Sequence, residues 1–211
     1  MRLYHHPLSF NARRAVMAAL HLGAKVDLVV VDLAKGAQRA PEYLKMNPNG
    51  RVPVLDDDGF FLTESCAIMQ YLADKTPGQT VYPQDLRARA DVNRWLFWCA
   101  HHFAPAISIL NWERVVKPMI GAGPIDPAMV ERGEAQVKQV AEVLDEHLAA
   151  ESKRGGGPTW IAQGRLTLAD LAIASPLMSI GPAKLPVSGL ARLLSWFEQV
   201  QELDAWKRTS L

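Results

Sequence analysis

The chain has few cysteines, no long hydrophobic run and no excess of charge of one sign. Cys66 and Cys99 are the two cysteines among 211 residues, too few for a disulfide framework and not spaced as a zinc site. The chain lacks both an apolar signal-peptide core at its start and a run of about 18 apolar residues that could span a bilayer. Lys and Arg total 23 against 22 Asp and Glu, which disfavours nucleic acid as a partner. We therefore expect a cytoplasmic protein with no nucleic-acid and no membrane partner.

The histidines do not form a metal-binding pattern. His5 and His6 are adjacent, as are His101 and His102, and adjacent residues on a helix point to different faces. No carboxylate recurs near them at the spacing of metal ligands. We therefore predict no metal.

The organisation of the chain changes near residue 76. Strand-like and helix-like segments alternate before that point, whereas long helical periodicities without period-two alternation follow it. A stretch rich in proline and glycine separates the two parts. We predict an α/β domain over residues 1–76, a linker over residues 77–84 and an all-α domain over residues 85–211.

The segments of the first domain predict a small mixed sheet with helices on its faces. Gly23 ends the first helix, the run from Asp56 to Gly59 forms a hairpin turn, and Thr63 can cap the last helix. The predicted order is a strand at Leu3-Tyr4, a helix over Asn11–Leu22, a buried strand over Val26–Val31, a short helix over Glu42–Met46, strands over Val52–Leu55 and Phe60–Leu62, and a helix over Glu64–Lys75.

The second domain is predicted to be helical throughout. Helical periodicity spans roughly residues 86–112 and 127–150, with glycine and proline breaks at residues 121–124 and 155–158. Thr167 and Asp170 have the spacing of a capping box, which predicts the start of another helix.

The Val52-Pro53 dipeptide at the start of a hairpin strand is a candidate for binding a peptide backbone. A cis bond there would leave the N–H and C=O of Val52 available to pair with an extended ligand, as in strand addition. Only about 5% of such bonds are cis in folded proteins, so a trans bond is the alternative.

Glu64 and Ser65 lie at a predicted helix start. Unpaired N–H groups and the helix dipole attract an anion at such a position, the Ser65 hydroxyl adds a donor, and Glu64 could bind a ligand ammonium. The alternative is ordinary capping, because acidic and hydroxyl residues are common at helix starts.

Ser9 lies between the first strand and the first helix, where its hydroxyl could donate a hydrogen bond to a bound thiolate. A free thiol has a pKa of about 8.5, so it needs such stabilisation to be ionised at neutral pH. The alternative is an N-cap, and we expect the two roles to compete for one hydroxyl.

Taken together, four stretches in order resemble the cytosolic glutathione S-transferase family, in its serine-type, phi/theta-like form, over essentially the whole chain. They are His6–Arg14, Val31–Leu33 with Pro41–Leu44, Asn47–Leu55, and Glu64–Ile68. Leu166–Asp170 resembles the capping motif of that family, and Ala205–Arg208 resembles its C-terminal ending. The resemblance implies the glutathione transferase fold, a thioredoxin-like α/β domain followed by an all-helical domain.

The resemblance also implies glutathione as co-substrate and a role for each residue that binds it. Ser9 would stabilise the thiolate, with Asn11 as a second candidate. Val52, ahead of cis-Pro53, would pair with the cysteinyl backbone, and Glu64 with Ser65 would hold the γ-glutamyl end. Gln38, Arg39 and Arg51 stand where the family usually binds the glycyl carboxylate, although Gln38-Arg39 replaces the usual basic pair and Arg51 the usual glutamine.

The activity implied is attack of glutathione on small hydrophobic electrophiles in detoxification, by a homodimer. The electrophile pocket would lie between the first loop and the first long helix, lined by Leu8, Phe10, Trp112, Val115 and Val116. There are two alternatives to this transferase activity. One is a noncatalytic binding or scaffold module, which has no need for a hydroxyl at position 9. The other is glutathione-dependent peroxidase or isomerase activity.

Overall fold

A four-stranded mixed sheet organises the N-terminal part of the computed structural model, which describes residues 1–154 and 157–210. The strands are β1 (Arg2–His5), β2 (Asp27–Val30), β3 (Val54–Asp57) and β4 (Phe60–Leu62), in the order β2-β1-β3-β4. β1 pairs in parallel with β2 and antiparallel with β3, and β3 pairs antiparallel with β4. The parallel pair requires a crossover, which helix α1 (Phe10–His21) provides.

Helices cover both faces of this sheet. After α1 come a 3₁₀ turn (Ala37–Arg39), α2 (Pro41–Met46) and α3 (Ser65–Asp74). Leu3 and Leu55 pack with residues of α1 and α3 in one buried cluster, whereas Val54 packs with Tyr43 of α2 in another. Because successive strand residues point to opposite faces, the two clusters lie on opposite sides of the sheet. The predicted thioredoxin-like arrangement is confirmed.

Strand β2 differs from its prediction as a buried strand over Val26–Val31. It forms an edge of the sheet, and Leu28 and Val30 are 45% and 61% exposed. An apolar run indicates a strand but does not indicate how many neighbours the strand will have, so the burial expected here is wrong.

Residues 83–201 form a second unit in which the described residues contain helices and no strand. Its helices are α4 (Leu86–Trp98), α5 (Ala104–Asn111), α6 (Lys117–Met119), α7 (Pro127–Ser152), α8 (Leu168–Ala174) and α9 (Ala191–Gln201), with a 3₁₀ turn at Ser175–Ser179. Two π-helical segments, Cys99–Phe103 and Trp112–Val116, join α4, α5 and α6 into one helical run. The predicted break at residues 121–124 lies in the loop before α7, while Gly155 and Gly156 of the other lie outside the described residues.

The division of the chain differs from the predicted boundaries at the C-terminus. Residues 202–210, which contain α10 (Asp204–Lys207), belong with residues 1–82 rather than with the helical unit. Arg13 of α1 joins them, since its Nε donates to Thr209 Oγ1 at 3.1 Å and its Nη2 to the Trp206 carbonyl at 3.3 Å. Nothing in the sequence around residues 202–210 indicates that this segment packs with the first unit.

None of the helices in the described ranges combines the length and the apolar character needed to cross a membrane.

Asp170 is fully buried and organises the interior of the helical unit. Its Oδ1 accepts from Ile161 N at 2.9 Å and from Trp196 Nε1 at 3.0 Å, and its Oδ2 accepts from Thr167 N at 2.8 Å and Thr167 Oγ1 at 3.0 Å. Burial raises the pKa of Asp170 to about 6 although all four donors oppose the rise, so the carboxylate is ionised at neutral pH. The capping box predicted at Thr167 is present and also ties α8 to α9.

We expect Asp170→Asn to lower the free energy of unfolding by about 3–5 kcal/mol. Each carboxylate oxygen accepts two donors, so the amide NH₂ of asparagine would face donors it cannot satisfy. Urea unfolding followed by circular dichroism measures the loss. The matched control is Asp145→Asn, because Asp145 accepts from Leu193 N at 2.8 Å and asparagine can replace it there at a cost below about 1 kcal/mol. Equal losses in the two variants would contradict this role of Asp170.

Candidate functional site

The strand register brings the predicted site residues to one end of the sheet. β1 ends at His5 and leads to Ser9. Tyr4 lies opposite Val54, so in the antiparallel direction Val52 extends past the same end of β1. Leu55 lies opposite Leu62, so Glu64 and Ser65 follow β4 at that end as well. Segments far apart in the chain thus converge where β1 ends and α1 and α3 begin.

Ser9 is the N-cap of α1, with its oxygen accepting from Ala12 N at 3.2 Å. Its backbone N–H donates to the His6 carbonyl at 3.0 Å. The cap uses an oxygen lone pair, and the hydroxyl hydrogen has no acceptor among residues 1–154 and 157–210. The expected competition between capping and donation is therefore wrong, since the two roles use different parts of one hydroxyl.

Asn11 lies in the first turn of α1 and is exposed, so its amide is accessible to a ligand at this helix start. Its role as a second thiolate donor stays a prediction.

The Val52-Pro53 peptide bond is cis. Within the described part of the chain, neither the N–H nor the C=O of Val52 has a hydrogen-bond partner. The preceding residue, by contrast, is firmly held, because the carbonyl of Arg51 accepts from Tyr43 Oη at 2.9 Å and from Asn47 Nδ2 at 2.8 Å. A backbone donor and acceptor are thus presented by a loop anchored immediately before them.

Glu64, not Thr63, is the N-cap residue of α3, so the predicted cap is wrong. Its backbone has φ 64° and ψ 111°, a conformation that is costly for a residue with a side chain, by about 1–3 kcal/mol. The Glu64 side chain is exposed and makes no capping bond to the helix, while Ser65 is only 8% exposed. The strained residue thus places an exposed carboxylate at the start of α3 without using it to cap the helix.

Gln38 and Arg39 lie against the loop that precedes Arg51. A Cβ at Gly50, whose φ is +59°, would meet both Arg39 Nη1 and the Gln38 carbonyl at 3.0 Å. Gln38 Oε1 is buried and has no hydrogen-bond partner in the described structure, whereas Arg39 and Arg51 are exposed. These residues provide two cations and one unused acceptor beside the Val52 loop.

Sequence reasoning missed three residues that support this end of the sheet. Arg14 is 1% exposed, and its Nη1 donates to Cys66 Sγ at 3.6 Å, linking α1 to the first turn of α3. Tyr43 and Asn47 anchor the Arg51 carbonyl, and burial raises the pKa of Tyr43, which keeps its hydroxyl a donor. The available signal was a polar residue at an apolar position of a helix, as Arg14 is in α1.

The five residues predicted to line an electrophile pocket differ in exposure. Leu8 and Trp112 are each 44% exposed, Val115 and Val116 are half-buried, and Phe10 is only 7% exposed. Trp112, Val115 and Val116 share the second π-helical segment, and such segments occur frequently at functional sites. Their role as a pocket lining stays a prediction.

The first unit can therefore bind a peptide-like ligand with charged ends. It presents one hydroxyl hydrogen, one free backbone pair, a carboxylate, a helix start and two arginines around the end of the sheet. The described residues hold no group of three or more His, Cys, Asp or Glu side chains placed to bind a metal ion.

A family model described as the N-terminal domain of glutathione S-transferase matches residues 1–74. Glutathione S-transferase 3 of Zea mays is 33% identical, with 99% of this chain and 92% of that protein covered. Glutathione S-transferase theta-2 of Homo sapiens is 34% identical, with 95% of this chain and 80% of that protein covered.

Solved structures show the same fold. Glutathione S-transferase-I bound with lactoylglutathione has a TM-score of 0.85 at 26% identity, covering 99% of this chain and 97% of its own. Ure2p in complex with glutathione has a TM-score of 0.88 at 25% identity, also covering 99% and 97%.

We expect Gly50→Ala to destabilise the protein more than Gly23→Ala, by about 1 kcal/mol or more. Both glycines have left-handed backbones, with φ of +59° and +62°, so alanine costs a similar strain at each. Only at Gly50 would the new methyl group also meet Gln38 and Arg39. At Gly23 no described residue other than its chain neighbours has an atom within 4 Å of the new Cβ. Thermal unfolding of the two variants measures the difference, and equal losses would show that the contact carries no cost.

Proposed function

The chain belongs to the glutathione S-transferase family, and from that premise we propose that it binds glutathione at the end of its sheet. It would lower the pKa of the glutathione thiol and catalyse attack of the thiolate on small hydrophobic electrophiles. The observation that carries the proposal is the Ser9 hydroxyl, whose oxygen caps α1 while its hydrogen is left to donate.

One donor and one helix start are sufficient for the required change in the thiol pKa. A free thiol has a pKa of about 8.5, and lowering it by two units needs about 2.7 kcal/mol. A charge-assisted hydrogen bond contributes about 1.5–3 kcal/mol and a helix N-terminus about 0.3–1 kcal/mol. Ser9 would provide the bond, the amides of α1 the dipole, and exposed Asn11 a second, weaker donor.

The remaining groups match the other parts of glutathione. The cysteinyl N–H and C=O would pair with the two free backbone groups of Val52, held in place by cis-Pro53. The α-carboxylate of the γ-glutamyl end would lie at the start of α3 with the Ser65 hydroxyl, and its ammonium beside Glu64. The glycyl carboxylate would contact Gln38, Arg39 and Arg51. The guanidinium of Arg51 can form two parallel hydrogen bonds to the carboxylate, which the glutamine usual at this position cannot.

Catalysis in this proposal requires no covalent enzyme intermediate. The glutathione sulfur forms the new bond to carbon of the electrophile with its own electron pair, the leaving group departs with the electrons of the broken bond, and the thiol proton passes to solvent. The protein contributes ionisation and positioning. Leu8, Phe10, Trp112, Val115 and Val116 would form the apolar surface for the electrophile, in a cytoplasmic homodimer that serves detoxification.

Three substitutions at position 9 separate the two uses of the hydroxyl. Ser9→Thr keeps both the cap and the donor, and Ser9→Ala removes both. Ser9→Asp keeps the cap but replaces the donor with a carboxylate that repels the thiolate. We expect Ser9→Asp and Ser9→Ala to raise the pKa of bound glutathione by one to two units and to lower kcat/KM about 100-fold. Ser9→Thr should retain most of both properties.

The measurement is an ultraviolet titration of thiolate absorbance with saturating glutathione, followed by a conjugation assay with 1-chloro-2,4-dinitrobenzene. Thermal unfolding is the control, in which only Ser9→Ala should lose about 1 kcal/mol through the missing cap. A normal thiol pKa in wild-type protein that binds glutathione would favour the noncatalytic binding module. If the thiol pKa of bound glutathione is still lowered in Ser9→Asp, Asn11 rather than Ser9 would be the group that stabilises the thiolate.

We expect Glu64→Gln to weaken glutathione binding about tenfold, because the ligand ammonium loses a charged partner. Glu42→Gln is the matched control, since Glu42 is an exposed carboxylate in the first turn of α2, in the same unit. Isothermal titration calorimetry with glutathione measures both. Unchanged affinity in Glu64→Gln would remove Glu64 from the proposed site.

A further inference from the structure

The four residues before helix α1 form a tight turn that ends at Ser9. The backbone N–H of Ser9 donates to the carbonyl of His6 at 3.0 Å, the bond from the fourth residue to the first that closes a β-turn. Pro7 occupies the second position of the turn, where its fixed φ is favoured. The backbone of Ser9 is therefore held before its side chain caps the helix.

The side chain of His6 makes a second bond across the same turn. Its Nδ1 accepts from the backbone N–H of Leu8 at 3.2 Å. A backbone N–H only donates, so Nδ1 carries no hydrogen and the hydrogen of the neutral ring lies on Nε2. Asn and Asp are favoured at the first position of such turns because their side chains accept from the N–H two residues on. The imidazole of His6 replaces that side-chain oxygen.

Ser9 is thus held from both sides. Before it, the ring of His6 binds the N–H of Leu8, which lies on a residue that is 44% exposed and would otherwise bond to water. After it, Ser9 Oγ accepts from Ala12 N at 3.2 Å and the Ser9 carbonyl accepts from Arg13 N at 2.8 Å. The position of the hydroxyl depends on the turn as well as on the helix.

The proposed use of this hydroxyl makes its position important. A hydrogen bond weakens steeply when the donor no longer points at the acceptor, and the bond to a thiolate is a strong, charge-assisted one. In the proposed site, Val52 and Glu64 fix other parts of glutathione. A displaced Ser9 would therefore lose its bond to the sulfur while glutathione stays bound.

We propose that His6 is a positioning residue for the proposed reaction, because its Nδ1 fixes the turn that aims the Ser9 hydroxyl at the glutathione sulfur. This role rests on the proposed function of Ser9. His6 itself contacts neither glutathione nor the electrophile, and its effect on the thiol passes through the backbone of Leu8 and Ser9.

Three substitutions at position 6 separate the Nδ1 acceptor from the rest of the ring. His6→Asn keeps an acceptor near the place of Nδ1, His6→Gln moves it to about the place of Nε2, and His6→Leu removes it. We expect His6→Gln and His6→Leu to raise the thiol pKa of bound glutathione by about one unit and to lower kcat/KM about tenfold. His6→Asn should stay within about twofold of wild type.

The affinity for glutathione separates positioning from general damage to the site. We expect the dissociation constant of glutathione to change by less than about twofold in all three variants, because the groups at Val52 and Glu64 remain. Isothermal titration calorimetry measures this affinity, and the ultraviolet titration of thiolate absorbance measures the thiol pKa.

His5→Gln is the matched control. His5 is the neighbouring histidine and is half-buried, and its ring makes no hydrogen bond to a residue that the structure describes. Burial, together with the neighbouring His6, lowers the pKa of His5, so the substitution replaces one neutral side chain with another at neutral pH. We expect the thiol pKa and kcat/KM of His5→Gln to match wild type within about twofold.

Amide hydrogen exchange, followed by NMR in the ligand-free protein, tests the turn without reference to the reaction. The N–H of Leu8 should exchange at least about fivefold faster in His6→Gln and His6→Leu than in wild type and His6→Asn. The tautomer is tested on the same sample, since the ¹⁵N chemical shift of Nδ1 should be that of a nitrogen without hydrogen.

Several results would overturn the role of His6. Exchange of the Leu8 N–H could be equal in wild type and His6→Leu, or the thiol pKa could be unchanged in His6→Gln and His6→Leu. His6→Asn could lose as much activity as His6→Leu, which would assign the effect to the rest of the ring. A normal thiol pKa in wild type with the expected exchange difference would instead reject the proposed function of Ser9 and leave the turn itself as described.

Discussion

The structure of the first unit depends on how helix α1 is held. Small residues, Ala12, Ala15 and Ala19, allow one side of it to lie close to the sheet and α3, where they are at most 4% exposed. Its first turn is closed by Ser9, whose lone pair satisfies one amide of the helix start. The hydroxyl that would act on glutathione is therefore fixed by the same bond that starts the helix, and its geometry follows from backbone packing rather than from a flexible side chain.

Two adjacent arginines extend this anchoring in different directions. Successive helical residues are about 100° apart, so Arg13 turns to the C-terminal segment while Arg14 turns to Cys66 in α3. Both are almost completely buried. Arg14 connects the two helix starts that would contact glutathione, whereas Arg13 connects α1 to the C-terminal segment. Adjacent residues of one helix thus connect it to two different segments of the unit.

The helical unit uses a buried charge of the opposite sign. Asp170 satisfies both carboxylate oxygens with donors from three segments, so its burial is compensated within the unit and no ligand is needed. Arg13 is stabilised in the same way. Both buried ions have only neutral partners, Asp170 four donors and Arg13 three acceptors and the Trp206 ring.

The sequence by itself determined the local features of this protein. Glycine and proline mark turns and helix breaks, and the spacing of apolar residues distinguishes strands from helices. Thr167 and Asp170 predict a capping box. Each of these signals acts over a few residues, so the sequence alone is sufficient to read it. It also placed Ser9, Val52 and Glu64 at element ends, where a ligand can reach backbone groups. Only the tertiary structure decided that β2 is an exposed edge, that Glu64 rather than Thr63 is the N-cap of α3, and that residues 202–210 pack against α1. These depend on partners distant in the chain, and a local pattern carries no information about which distant segment will supply them.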